Sequence, residues 1–364
     1  MRRAHLTCAL RPNCNYNRCR NLTSTSASFT VISSSFSTPR HRHLQLHQRH
    51  LSHSAPTPAR SISSENSGPN RADMPRLNPA SLAAINRLKA FNPPPSSYDL
   101  VPLERRAAVL LLLYADAQGD LRVVLTIRAS TLSSYAGQAA LPGGKADTLH
   151  ETPLQTSRRE ASEEIGLPNL NSPLPSPFTV EHLCEIPCSL ARTELVVRPV
   201  VALLHSHDEK TGKDADPETE LIPRLDAREV AAVFTAPFGG FLERFWEGDE
   251  SWYSGVWTEW WGTQWRMHQF HVPIQPSKVI KPRAHDTDQQ ESIDALKKQE
   301  EKTQGSEQIR YRVFGMTARI LVDVARIAYD KQPDFEHNAH AGDEELISTL
   351  RGRGRLGVKE KTKI

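Results

Sequence analysis

The chain has 364 residues, with 45 Lys and Arg against 42 Asp and Glu, a formal net charge of +3 and five cysteines. No run of about 18 apolar residues occurs, so no membrane-spanning helix is expected. Nine arginines but no Asp, Glu or Lys fall in residues 1–64. Subtracting those nine charges from +3 leaves −6 on residues 65–364, which argues against a nucleic-acid surface on the folded part.

In chain order, residues 1–73 cannot form a core, and the Arg-, Ser- and His-rich, acid-free composition of residues 1–64 suits a mitochondrial transit peptide. The alternative is a disordered extension ahead of a true start at Met74. Cys8, Cys14 and Cys19 lie in this leader, while Cys184 and Cys188 lack partners at zinc spacing and read as ordinary buried thiols of a reducing compartment. Residues 74–97 hold a short amphipathic helix from Asn78 and Pro79 through Ala90, with Leu82, Ile85 and Leu88 on one side, ended by Pro93–Pro95. Arg106–Tyr114 and Leu121–Ile127 read as strands joined by the turn Asp116–Asp120.

A capping box of Thr152 and Gln155, with Pro153 at the first helical position, opens a helix that Gly166 closes, so it spans Pro153–Ile165. Phe178–Ile186 and Glu194–Leu204 follow as strands, Pro199 marking an irregularity or an edge. Residues 205–225 are charged and turn-rich, a surface excursion. Glu229–Phe234 reads as a strand and Phe241–Trp246 as a short helix. All six tryptophans fall between Trp246 and Trp265, which indicates a packed hairpin, or else a wall that stacks on a ligand. Arg266–Val272 alternates as a strand, residues 274–308 form a polar insertion, and Met316, Ile320, Val324 and Ile327 define a closing helix over Met316–Tyr329. Residues 331–364 read as a flexible basic tail whose last three residues, Thr362-Lys363-Ile364, loosely match a Ser-Lys-Leu peroxisomal address. Strands mixed with few helices predict one α+β domain over residues 98–330, with insertions at 205–225 and 274–308.

The chemistry-bearing stretch is Gly143–Leu167. At 100° per residue Glu160, Glu163 and Glu164 fall within about 100° of arc, beside an apolar stripe of Leu154, Ala161 and Ile165. Three carboxylates this close need a shared proton or a bound hard cation such as Mg²⁺ or Mn²⁺, although three glutamates alone more often describe a solvated acidic face. The flanking residues decide between these readings. Glu151, seven intervening residues, then Arg159-Glu160-Ala161-Ser162-Glu163-Glu164-Ile165-Gly166-Leu167 resemble the Nudix box, G-x5-E-x7-R-E-U-x-E-E-x-G-U with U aliphatic. Ala161 is small for U, and Gly144 precedes Glu151 by one residue more than the box prescribes.

The resemblance implies a Nudix fold, a mixed β-sheet sandwiched between helices. It also implies metal-assisted hydrolysis of a diphosphate, with Glu160, Glu163 and Glu164 as metal ligands. Glu163 or Glu164 would accept a proton, and Arg159 would pair with Glu151 to fix the ligand helix. Ahead of the box, Val124-Leu125-Thr126-Ile127-Arg128-Ala129, Gly137 and Leu141-Pro142-Gly143-Gly144 resemble the signature of the coenzyme A diphosphatases of that family, with Ser133 in place of its second arginine. That likeness implies coenzyme A or acyl-coenzyme A as substrate. Arg128, Gly137, Gly143, Gly144 and Lys145 would bind it, and 3′,5′-ADP and 4′-phosphopantetheine would be the products. Ser133 keeps open a broader diphosphatase acting on ADP-ribose or dinucleotides; an inactive Nudix ligand-binding module is the reading from another class. The acid-free leader points to the mitochondrion; the tail, read together with the family, points alternatively to the peroxisome.

Overall fold

A computed structural model describes residues 77–129, 137–208, 213–215, 229–281 and 309–357, with positions 217, 221, 294 and 298 between them, all within the unit Gly68–Ile364. The leader, Met74, Ser133, most of the 274–308 insertion and the last seven residues lie outside this set.

Helix α1 (Pro79–Ala90) starts as the sequence predicts, Asn78 capping the N–H of Ser81. Its buried face is Ser81, Ala84, Ile85 and Leu88, whereas Leu82, expected on that face, is exposed. Strands β1 (Arg106–Ala115), β2 (Leu121–Arg128), β3 (Ala139–Ala140) and β4 (Gly143–Lys145) lead into helix α2 (Pro153–Ile165). Then come β5 (Thr179–Glu185), β6 (Ser189–Leu190), β7 (Val196–His205), the small hairpin β8 (His207–Asp208) and β9 (Lys213–Asp214), and β10 (Val230–Pro237). A 3-10 turn at Gly239–Leu242 replaces the helix expected over 241–246. Hairpin β11 (Tyr253–Trp260) and β12 (Thr263–Pro273), strand β13 (Arg310–Phe314) and helices α3 (Gly315–Tyr329) and α4 (Glu344–Gly352) complete the described chain.

The main sheet runs β10-β2-β1-β7-β5, with β1 parallel to β7 and the other neighbours antiparallel. Alternation along β1 fills two cores. Leu111 and Leu113 join α1 and α3 on one face, while Leu110, Leu112 and Tyr114 join Ala161 and Ile165 of α2 on the other. The sheet therefore lies between helices, the Nudix architecture that the sequence predicts. Strand β1 pairs with β2 only at its end, over Leu113–Ala115, and with β4 over Ala107–Val109, so the sheet parts where the glycine loop enters. Pro199, read as an irregularity or an edge, is buried inside the sheet. It falls where the partner of β7 changes from β5 to β6, a step at which the strand can lack a donor.

Residues 331–357 correct the expectation of a loose tail. Ile347, Leu350 and Leu356 pack with Tyr98, Val101 and Cys188 in a separate core. Phe335 stacks on Tyr253 at 3.8 Å, and Asp343 pairs with Arg319 at 2.5 Å, both side chains buried. The apolar residues here are too sparse for periodicity to reveal; partners distant in sequence supply the order. Among the described residues no helix is long and apolar enough to cross a membrane.

Candidate active site

Local chemistry fixes the α2 segment. Thr152 and Gln155 bond reciprocally across the first turn, and Gly166 closes the last one at φ 69°. Ala161, small for its motif position, is fully buried against β1. The extra loop residue is taken up in a turn ahead of Glu151, whose N–H donates to Thr148 and whose carboxylate accepts from the N–H of Asp147 at 2.8 Å.

Arg159 is the hub of the helix. Its Nε donates to Glu151 at 2.8 Å, its Nη1 to Glu160 at 3.0 Å and to Glu163 at 3.3 Å, and its Nη2 to the carbonyl of Lys145 at 2.8 Å. These carboxylates hold the guanidinium pKa well above its ordinary value. Burial alone would raise the Glu151 carboxyl, but its bonds from Arg159 and Asp147 outweigh that and lower it.

The chain from β3 to β4 is pressed against this helix. The N–H of Gly143 donates to Glu164 Oε2 at 3.1 Å, and a Cβ at Gly144 would lie 2.5 Å from the Glu160 carboxylate. Gly143, at φ 150°, passes so close to β1 that a Cβ would lie 2.6 Å from the Cα of Val109. Both positions need glycine because helix and strand approach through them.

Glu160, Glu164 and Glu229 each bring one carboxylate oxygen into a group within 4.8 Å of one another. Glu164 is buried, and that burial pushes its pKa up to about 8, with Glu160 and Glu229 adding to the rise and Gly143 and Arg128 opposing it. Burial likewise raises Glu160, aided by Glu163 and Glu229 and opposed by Arg159. Three convergent hard oxygen donors that protein charge leaves under-compensated fit a divalent cation such as Mg²⁺ or Mn²⁺.

Of the three carboxylates expected as ligands, Glu160 and Glu164 fall in this cluster, whereas Glu163 is directed to Arg159, is 55% exposed and lies outside it; Glu229 is the third member of the cluster. Glu229 enters at the start of β10, its carbonyl accepting from the N–H of Ala129 at 2.9 Å, so strand pairing delivers it beside Arg128. A single glutamate far along the chain from the helix carried no spacing signal; only its place as the first residue of a predicted strand was legible.

Gly137, at φ 69°, closes the long loop back onto Arg128 with an N–H to carbonyl bond of 3.0 Å. Arg128, Gly143, Gly144 and Lys145 line a cavity of about 600 Å³, together with Trp260, Trp265 and Met267 of the hairpin and Met316 of α3. The Nε of Arg128 is buried with no hydrogen-bond partner among the described residues.

Comparison with known proteins agrees with this geometry. The NUDIX domain family matches residues 104–236. The chain is 30% identical over 287 residues to peroxisomal coenzyme A diphosphatase 1 of Saccharomyces cerevisiae, covering 74% of this chain and 82% of that protein. It is also 32% identical over 231 residues to the mitochondrial Nudix hydrolase 15 of Arabidopsis thaliana, and 33% identical over 231 residues to the chloroplastic Nudix hydrolase 22 of that plant. Each of those matches covers 64% of this chain, but only 61% and 58% of the respective relatives. The chain belongs to the Nudix family. It is a Nudix hydrolase, an enzyme of a family that generally uses divalent metal ions.

Proposed function

We propose that this enzyme hydrolyses the diphosphate of coenzyme A or its derivatives, giving 3′,5′-ADP and 4′-phosphopantetheine or its acylated form. The observation that carries the reading is that one cavity is lined both by the Gly143–Lys145 strand and Arg128, beside the carboxylate cluster, and by the apolar Leu195, Trp265, Met267, Met316 and Ile320. A diphosphate bearing an extended, weakly polar arm matches both sets of residues. The Saccharomyces cerevisiae relative is named as a coenzyme A diphosphatase, which supports the same substrate.

In this reading Glu160, Glu164 and Glu229 hold Mg²⁺ or Mn²⁺. Such ions would neutralise the diphosphate and lower the pKa of the attacking water. Arg128 offers a planar guanidinium, with Nε uncommitted among the described residues, to phosphate oxygens. Lys145 adds charge at the same end, and the backbone at Gly143 and Gly144 admits the phosphates closely because no Cβ intervenes. Arg159, braced by Glu151, holds Glu160 in position and leaves Glu163 solvent-facing. Glu163 is the carboxylate of this helix outside the ligand cluster, and we assign it the proton released at the attacking water.

The acid-free composition of residues 1–64 and the mitochondrial Arabidopsis thaliana relative support mitochondrial delivery; the peroxisomal Saccharomyces cerevisiae relative supports the peroxisome as the alternative. Parallel kcat/KM measurements on coenzyme A, an acyl-coenzyme A, ADP-ribose and NADH test the substrate. Coenzyme A species should lead; equal or higher efficiency on ADP-ribose rejects the assignment.

A further inference from the structure

Strands β6 and β7 are joined through Arg192, Thr193 and Glu194. The N–H of Glu194 donates to the carbonyl of Ala191 at 2.8 Å, the N–H of Ala191 donates to that of Leu195 at 2.9 Å, and Glu194 takes a left-handed φ of 61°. This is a β-turn closed by a left-handed residue, a connection that leaves its two central side chains, Arg192 and Thr193, outside the strand ladder. Both are exposed, and both line the cavity that Gly143, Gly144 and Lys145 line from β4.

The charges around this turn are unevenly satisfied. Glu194, two residues along from Arg192, is committed elsewhere: Arg105 holds its carboxylate at 2.7 Å, and Arg355 approaches it at 3.7 Å. Arg192 has no hydrogen bond or ion pair among the described residues. The hairpin side of the cavity, fixed to the 335–343 strap where the N–H of Arg266 donates to Asn338 at 2.9 Å, brings no cation to the lining. Among the described lining residues, Arg128, Lys145 and Arg192 stand against the single acid Glu259.

Position separates the three cations by task. Arg128 acts on the Glu164 carboxyl, and Lys145 ends the glycine strand, so both belong beside the carboxylate cluster. Arg192 stands well away from them. Strand pairing runs from Lys145 to Ala107, from Ala107 to Val197 and from Val197 to Ser189 of β6, three strand spacings or roughly 14 Å. Ala107 and Val197 line the cavity along that interval with short apolar side chains, a low floor on which a sugar and its base fit. Divalent ions and the two nearer cations offset a diphosphate, which leaves Arg192 to meet a second anion. A planar guanidinium favours phosphate oxygens taken in pairs. Coenzyme A carries one further phosphate, at the 3′ position of its ribose; ADP-ribose and NADH carry none.

We propose that Arg192 is a specificity-determining residue that binds the 3′-phosphate of the substrate's ribose, so that the β6–β7 turn selects coenzyme A over diphosphates that lack this group. The inference rests on the coenzyme A reading above and adds the residue that recognises the nucleotide end.

The test compares coenzyme A with 3′-dephospho-coenzyme A, which share the diphosphate and the arm, in the full-length enzyme with Mg²⁺. The unaltered enzyme should show about tenfold or higher kcat/KM on coenzyme A. Arg192→Gln should lose about 10- to 100-fold on coenzyme A, mainly through KM, and little on the dephospho form, so that the preference disappears; Arg192→Lys should restore part of it. Because Arg192 holds no other described residue, the variant is expected to fold normally. Binding is read separately: 3′,5′-ADP should inhibit the unaltered enzyme at about tenfold lower concentration than 5′-AMP, an advantage that Arg192→Gln removes. Equal losses on the two substrates, or a preference that survives in Arg192→Gln, overturn the proposal. Equal turnover of both substrates by the unaltered enzyme overturns it too, while leaving the coenzyme A reading in place. Failure to hydrolyse either one strikes the proposed function itself, and this inference with it.

Discussion

Arg159 Nε lies 2.8 Å from Glu151 Oε1, joining the loop before α2 to the middle of that helix. The same guanidinium grips Glu160, so the pair determines where one candidate metal ligand points. Glu151→Gln should reduce kcat about 10- to 100-fold with a smaller change in KM. Steady-state kinetics at saturating Mg²⁺ check this; an unchanged kcat would show that the pair is dispensable.

Metal affinity should depend on pH through Glu164. Burial raises this carboxyl to about 8, so the metal-free protein keeps it protonated at neutral pH and a cation must displace the proton. Affinity should rise up to about tenfold per pH unit and level off as pH passes the raised pKa. The stability of the metal-free protein should move oppositely, falling as pH climbs from the ordinary carboxylate range toward the raised value, because there the folded state binds the extra proton. Mn²⁺ titrations followed by electron paramagnetic resonance read the slope, which Glu164→Gln should flatten.

The roles proposed for Glu229 and Glu163 can be told apart. Glu229→Gln should weaken Mn²⁺ binding. Glu163→Gln should leave binding nearly unchanged yet lower kcat. Equal losses of affinity in both variants would return Glu163 to the ligand set.

Glycine substitutions should separate folding from function. At Gly144 an added methyl meets only the Glu160 carboxylate, so Gly144→Ala should fold and bind metal more weakly. At Gly143 it meets backbone at a φ that other residues rarely adopt, so Gly143→Ala should lower Tm as well. Thermal melts beside Mn²⁺ titrations make the comparison.

Asp343→Asn should destabilise the fold by about 3–5 kcal/mol, because it leaves the buried Arg319 charge without its partner. Denaturant titration measures the loss. A change within error would mean that the strap contributes little.

How much the sequence disclosed followed the range of the interactions. The α2 helix, with its cap, closing glycine and Arg159–Glu151 pair, depends on residues within one short segment, and it was legible to the residue. Strand β1 was legible as a strand, from Arg106–Tyr114, but its unbroken apolar run did not disclose which leucines face which core. Glu229 was not legible, since only strand pairing brings it to Glu164. Nor was the strap: Ile347 and Leu350 are two apolar residues among polar ones, and Asp343 gains meaning only from Arg319 on another helix. Trp265 was visible as part of a crowd, but which of the six tryptophans would wall the cavity depended on the hairpin register.

The range of these contacts also bears on the order of assembly. The bond from Leu190 to Asp343 closes a loop of 153 residues, and Glu229 reaches the site only through its pairing with Ala129, whereas the carboxylate helix and glycine loop are built from near neighbours. Long closures are entropically the slower step, so the helix and loop are expected to order before both Glu229 and the 335–343 strap. A newly made chain would thus pass through a stage in which two of the three clustered carboxylates stand ready and the third has yet to arrive.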